Sequence, residues 1–188
     1  MAAPATERSP LKRPLRLFYA LWPDPGTAAS LRQLAQALRG DCGGRPTPPD
    51  NLHLTLAFLG AVPPRSAAAL VRIGAAVAGS VGPFSLRIDH MGCWRRHGLV
   101  WAAPAAVPAA LDQLAARLGA SLRVSGFASE PRTFRPHVTL LRAAVTAPAI
   151  AACGPFAWPV RELVLARSEH VSRGVRYRAI GSWPLSGG

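Results

Sequence analysis

The feature that most constrains this chain is a pattern that occurs twice. Residues 51–60 read NLHLTLAFLG and residues 135–144 read RPHVTLLRAA. Each is an apolar strand that places a histidine and a threonine two positions apart. Each is also embedded in the same order of elements. The strand RLFYALWPDP, a helix, NLHLTLAFLG and the strand FSLRID make one series; GLVWAAPAAV, a helix, FRPHVTLLRA and FAWPVREL make the other. A repeat of this kind predicts two similar lobes related by a pseudo-twofold axis, with the two His-x-Thr strands facing each other across a shared groove.

The remaining elements follow from local signals. Residues 15–23 read as a strand ended by proline. Residues 25–40 read as a helix with Leu31, Leu34 and Leu38 on one face, stopped at Gly40. A second helix is expected over 63–79 and a third over 105–121. Strands are expected over 84–94 and 98–104, around a polar turn at Arg95–Gly98. Further strands are expected over 133–143, 156–168 and 174–185, with a short helix over 148–154. Residues 1–13 read as a flexible basic tail, and no linker divides residues 14–188, which form a single bilobal domain.

No apolar run reaches the roughly 18 residues of a membrane span, and the N-terminus lacks a signal peptide. Cys42, Cys93 and Cys153 are widely spaced, with no C-x-x-C pair, so neither a zinc site nor a disulfide framework is signalled. A reducing cytoplasm and a monomer are expected. The net charge is +13, and Lys12 is the single lysine among 22 basic residues. Arginine forks match phosphate geometry and stack on bases, which points to a polyanionic partner.

Side chains alternate faces along a strand. His53, Thr55 and Ala57 therefore share one face, with Leu52, Leu54, Leu56 and Phe58 opposite. His137 and Thr139 share a face against Val138 and Leu140. Two imidazoles and two hydroxyls suit reaction at a phosphate without a metal. Imidazole titrates near neutrality, so one ring can be neutral and take a proton from water while the other, protonated, serves the leaving oxygen. The hydroxyls can hold the non-bridging oxygens. Metal binding is the competing reading, but no carboxylate is grouped with either histidine to complete a ligand set.

HLTLAFLG and RPHVTLLR resemble the paired H-x-T-x motifs of the two-histidine (2H) phosphoesterase superfamily, and more narrowly those of bacterial RNA 2′,3′-cyclic phosphodiesterases, the 2′-5′ RNA ligase family. The resemblance covers about residues 14–185, including the opening RLFYALWPDP and the closing SEHVSRGVRYRAIGSWPL. It implies an α+β fold of two pseudo-symmetric lobes of antiparallel strands with flanking helices around a central groove. It implies hydrolysis of RNA 2′,3′-cyclic phosphate ends to 2′-phosphomonoesters with no metal or cofactor, and the reverse 2′-5′ joining. By motif position, His53 is the proton donor, His137 the proton acceptor, and Thr55 and Thr139 bind the phosphate. Arg142 and Phe58 fall where relatives carry substrate-binding residues. Both lie five residues after a motif histidine, however, which is the opposite face of an ideal strand unless the strand bulges.

Two other readings compete: a non-catalytic module that binds RNA ends, and a cyclic phosphodiesterase acting on a small nucleotide. A binder needs no second histidine, which favours an enzyme. His90, His97 and His170 read as surface residues. Trp22, Trp94, Trp101, Trp158 and Trp183 read as packing residues, with Trp94, beside two arginines, able to stack on a base.

Overall fold

The computed structural model describes residues 13–127, 134–149, 151–172 and 174–187. The tail expected over 1–13 therefore lies, except for Arg13, outside the described residues. The chain runs β1 (Leu15–Leu21), α1 (Pro25–Cys42), β2 (Arg45–Pro46), β3 (Leu54–Val62), α2 (Ala67–Gly79), β4 (Phe84–Trp94) and β5 (Leu99–Ala103). It continues with α3 (Ala109–Val124), β6 (Val138–Arg142), β7 (Ala152–Val160), β8 (Glu162–Val171) and β9 (Gly174–Pro184). Among the described residues the strands form one antiparallel sheet in the order β7-β4-β5-β6-β3-β1-β8-β9, with β2 added beside β6.

That order is nearly a palindrome about its centre, where the two motif strands β6 and β3 meet. β5 flanks β6 as β1 flanks β3, and β4 flanks β5 as β8 flanks β1. The fourth strand of each half thus crosses into the other lobe. This corrects the sequence reading at two points. FAWPVREL is the end of β7 and the start of β8, broken at Arg161, and the counterpart of β4 is β8. The helix expected over 148–154 does not form either, because β7 begins at Ala152 and pairs with β4 through His90↔Ala152.

The helices bury their apolar stripes against one face of the sheet. Leu31, Ala35 and Leu38 of α1, Leu70 and Val77 of α2, and Leu111, Leu114, Leu118 and Leu122 of α3 join Leu17, Tyr19, Leu21, Leu54 and Val138 in one core. Asp24 caps α1 by accepting from the backbone N–H of Gly26 and Thr27, with Pro25 at the first helical position. The buried Tyr19 hydroxyl donates to the Leu70 carbonyl at 2.6 Å, pinning α2 to β1. The helix ends of α1 and α3 run slightly past the expected boundaries, to Cys42 and Val124. Among the described residues no helix is long and apolar enough to cross a membrane.

Candidate active site

The opposite face of the sheet carries the motif residues. The central strands touch through a single rung, Leu54↔Val138. In an antiparallel pair, one step along each strand sets His53 beside Thr139 and Thr55 beside His137. The two imidazoles then occupy diagonal corners of a four-residue lattice, with backbones about 7–8 Å apart, a span one phosphate can bridge. His53, Thr55, His137, Thr139, Phe58 and Arg142 all line one cavity of about 380 Å³.

Phe58 and Arg142 reach it because both motif strands bulge. In β3 the register steps from Ala20↔Thr55 to Tyr19↔Ala57, leaving Leu56 as the extra residue. In β6 it steps from Trp101↔Thr139 to Val100↔Leu141, leaving Leu140 as the extra residue. Each bulge immediately follows the motif threonine. An extra residue reverses the alternation of faces, so the position five after the histidine turns to the site. Simple alternation, which put Phe58 in the core and Arg142 away from the site, is corrected on both counts. Phe58 pairs with Phe18 and is 37% exposed in the groove. Arg142 is further placed by β2: Gly44, at φ +80°, has no room for a side chain, since a Cβ there would lie 2.6 Å from the Arg142 carbonyl oxygen. That close approach lays Arg45 and Pro46 against Arg142 and Leu141.

The two histidines are held alike. The Nδ1–H of His53 donates to the Asn51 carbonyl at 2.7 Å, and that of His137 to the Arg135 carbonyl at 2.8 Å. A carbonyl only accepts, so Nδ1 carries the proton and Nε2 is the reactive nitrogen of each neutral ring. Nε2 of His53 lies 3.0 Å from the Thr55 hydroxyl. Burial pushes the His53 imidazole down to about 4; its bond to the Asn51 carbonyl opposes this, while Arg142 and His137 add to it. Burial also lowers His137, opposed by the Arg135 carbonyl and helped by Arg142. The sequence reading expected one neutral and one protonated ring near neutrality. The surroundings favour the neutral form of both rings in the free protein, because each sits in a desolvated cleft shared with a guanidinium.

Their surroundings differ. His53 lies in an aromatic cage that the sequence reading missed: Trp22 stacks on it at 5.2 Å, Phe18 lies 5.2 Å away and Tyr177 meets it edge-on at 5.0 Å. Phe18 and Ala20 of β1 form, with Ala166, a small second cluster on this face, against which Trp22 and Tyr177 pack. Trp22 therefore packs, as expected, but against this second cluster and the His53 ring. The alternation of Phe18, Ala20 and Trp22 opposite Leu17, Tyr19 and Leu21 is the signal that could have identified it. Among the described residues His137 has one aromatic neighbour, Trp94, edge-on at 4.5 Å. His170 and His97 are exposed as expected, although His170 stands at the rim of the cavity; His90 is half-buried, 5.9 Å from Trp101. Trp158 is buried in the core, and Trp183 packs against it. Among the described residues no three His, Cys, Asp or Glu side chains converge at one point.

The cavity therefore brings together two imidazoles whose Nε2 atoms are not tied to the backbone, two hydroxyls and a guanidinium. Comparison with known proteins agrees with this architecture. Residues 21–101 and 102–177 each match the LigT-like phosphoesterase family model, one match per half of the internal repeat. The chain is 35% identical over 184 residues to the RNA 2′,3′-cyclic phosphodiesterase of Escherichia coli K12, covering 94% of this chain and 99% of that one. It is 31% identical over 185 residues to the enzyme of the same name from Thermus thermophilus, covering 92% and 91%. The fold superposes on the crystal structure of E. coli LigT without ligand at a TM-score of 0.80 and 34% identity, over 92% of this chain and 98% of that one. It superposes on the 3′-AMP complex of LigT with a TM-score of 0.79. With both halves matched and nearly the whole length aligned, the chain belongs to the LigT-like phosphoesterase family.

Proposed function

We propose that this protein is an RNA 2′,3′-cyclic phosphodiesterase that opens the terminal cyclic phosphate to a 2′-phosphomonoester. The observation that carries the reading is the matched pair of imidazoles, each with Nδ1 tied to a backbone carbonyl and Nε2 left for the site, that of His53 beside the Thr55 hydroxyl, in a cavity that also holds Arg142. Names of close relatives and the solved LigT complex with 3′-AMP support the substrate class.

In this mechanism Nε2 of His137 takes a proton from water as it attacks phosphorus. The P–O3′ bond breaks on the far side, and Nε2–H of His53 protonates the departing 3′ oxygen. Attack and departure are in line, so acid and base stand on opposite sides of phosphorus, as one histidine per lobe allows. Thr55, Thr139 and Arg142 hold the non-bridging oxygens, and Phe58 flanks the nucleoside. Because the cleft favours the neutral form of both rings beforehand, the proton for His53 enters with the anionic substrate. The phosphate charge and the aromatic faces of Phe18, Trp22 and Tyr177 favour the imidazolium. No metal takes part in these steps. Cytoplasmic action fits the free thiols Cys42, Cys93 and Cys153.

The test is incubation with a short RNA ending in a 2′,3′-cyclic phosphate, in excess chelator, with the product isomer assigned by phosphorus NMR. A 2′-phosphate product is expected. A 3′-phosphate product, or hydrolysis that needs an added divalent ion, overturns the mechanism.

A further inference from the structure

A second hollow opens from the catalytic cavity and shares Thr55, Phe58, Leu99 and His137 with it. Its volume is about 1680 Å³, beyond the roughly 300–1,000 Å³ of a small-molecule pocket. One wall is α3, which buries Leu111, Leu114, Leu118 and Leu122 in the core and turns Ala115, Ala116 and Gly119 outward into the groove. Those three side chains stop at Cβ or before it, so the wall is low over more than one helical turn. Arg123 folds back over it: a Cβ at Gly119 would sit 3.3 Å from the Arg123 guanidinium. The facing wall is the short turn Arg95–His97 after Trp94, and Arg135 closes the end near His137. Four arginines (95, 96, 123 and 135) thus face one carboxylate, Asp112, among the lining residues described. Trp94, half-buried with its edge on His137, stands where the two hollows join.

We infer that this groove binds the single-stranded RNA 5′ of the cyclic end, with a base against Trp94 and the upstream phosphates on Arg96 and Arg123, so that the enzyme selects oligonucleotides over small cyclic nucleotides. The inference rests on the phosphodiesterase reading and adds the substrate length. An alternating array of guanidinium groups and an aromatic face is what a sequence-tolerant single strand needs. The groove's volume and charge exceed what a mononucleotide can use.

The experiment compares kcat/KM for a 2′,3′-cyclic mononucleotide with that for cyclic-ended oligoribonucleotides of two to six nucleotides. The ratio of tetramer to mononucleotide should be at least about tenfold, the worth of one stacked base. The double variant Arg96→Ala/Arg123→Ala should bring that ratio down severalfold and flatten the salt dependence of the tetramer by about 1.4 in log–log slope, two single-strand phosphate contacts. Gly119→Leu should lower the ratio by filling the groove and displacing Arg123, although leucine is the better helix former, so loss of fold would not explain it. Arg32→Ala/Arg39→Ala, with equal loss of charge on α1 beside a separate hollow, should leave the ratio unchanged. A ratio near one in the unsubstituted protein, or equal loss in the α1 variant, overturns the groove while sparing the phosphodiesterase. Failure to hydrolyse either substrate overturns both.

Discussion

Acid should destabilise this protein through His53 in a way that can be isolated. In the unfolded chain the imidazole takes its proton near the ordinary value of 6.5, whereas in the fold burial holds it down to about 4. At pH 7 both states are neutral there and no penalty exists. As pH falls through 6.5 the unfolded chain gains a proton that the folded chain refuses, so stability drops; below about 4 both are protonated and the loss levels off. At about 1.4 kcal/mol per pH unit, the interval corresponds to roughly 3 kcal/mol, a large share of a typical domain's stability. The assay is urea unfolding at pH 7, 6, 5 and 4 for the unsubstituted protein and for His53→Gln. Carboxylates titrate in both and cancel in the difference, leaving a gap that widens by about 3 kcal/mol from pH 7 to pH 4. His137 acts in the same direction and remains in both proteins. Inorganic phosphate should narrow the gap by favouring the imidazolium. Parallel pH–stability curves for the two proteins would refute the claim that the cleft keeps His53 neutral.

Four further outcomes are expected. His53→Ala and His137→Ala should each slow hydrolysis by about 10²–10⁴-fold, but a substrate with a nitrophenolate leaving group should rescue only His53→Ala; rescue of His137→Ala instead reverses the roles. The pH profile of kcat/KM should peak below pH 6.5, because both rings of the free protein are lowered, and that of kcat should peak at higher pH, where bound phosphate has raised them; coincident profiles speak against proton uptake with substrate. Arg142→Ala should weaken substrate binding about 10- to 100-fold, the loss of a charge-assisted contact, and raise both imidazole titration midpoints in NMR, since its charge lowers each. Gly74→Ala, in α2, would overlap the Trp183 ring; a helix interior normally gains from this change, so a net loss of about 1–3 kcal/mol in thermal unfolding measures the tightness of that packing.

Alternation along a strand sufficed to pair His53 with Thr55 and His137 with Thr139, because the first two residues of each motif precede the bulge. It failed three residues later, at Phe58 and Arg142, because a bulge is a property of how two strands fit and leaves no mark in the alternation of one. Leu56 and Leu140 look like any core leucine. The repeat announced two lobes but not the exchange of β4 and β8 between them, since which neighbour a strand joins depends on contacts far apart in sequence. The cage around His53 was hidden for the same reason: Phe18, Trp22 and Tyr177 come from opposite ends of the chain and meet only through the β1–β8–β9 ladders. The three long helices, which depend on local periodicity, were legible to within a few residues, whereas the short helix expected over 148–154 gave way to β7, whose pairing with β4 is a long-range contact.

The near-palindromic sheet has a consequence for regiochemistry. A cyclic phosphate offers two bridging oxygens, 2′ and 3′, that are nearly equivalent at phosphorus. Two imidazoles related by a pseudo-twofold axis are nearly equivalent as well, so the pair alone gives no preference for which bond is cut. Selectivity has to come from whatever breaks the symmetry. Here one ring is closed in by Phe18, Trp22 and Tyr177, and the other opens past Trp94 toward α3. On the proposed mechanism, a ribose that enters past Trp94 takes a single orientation, and that orientation decides which oxygen keeps the phosphate.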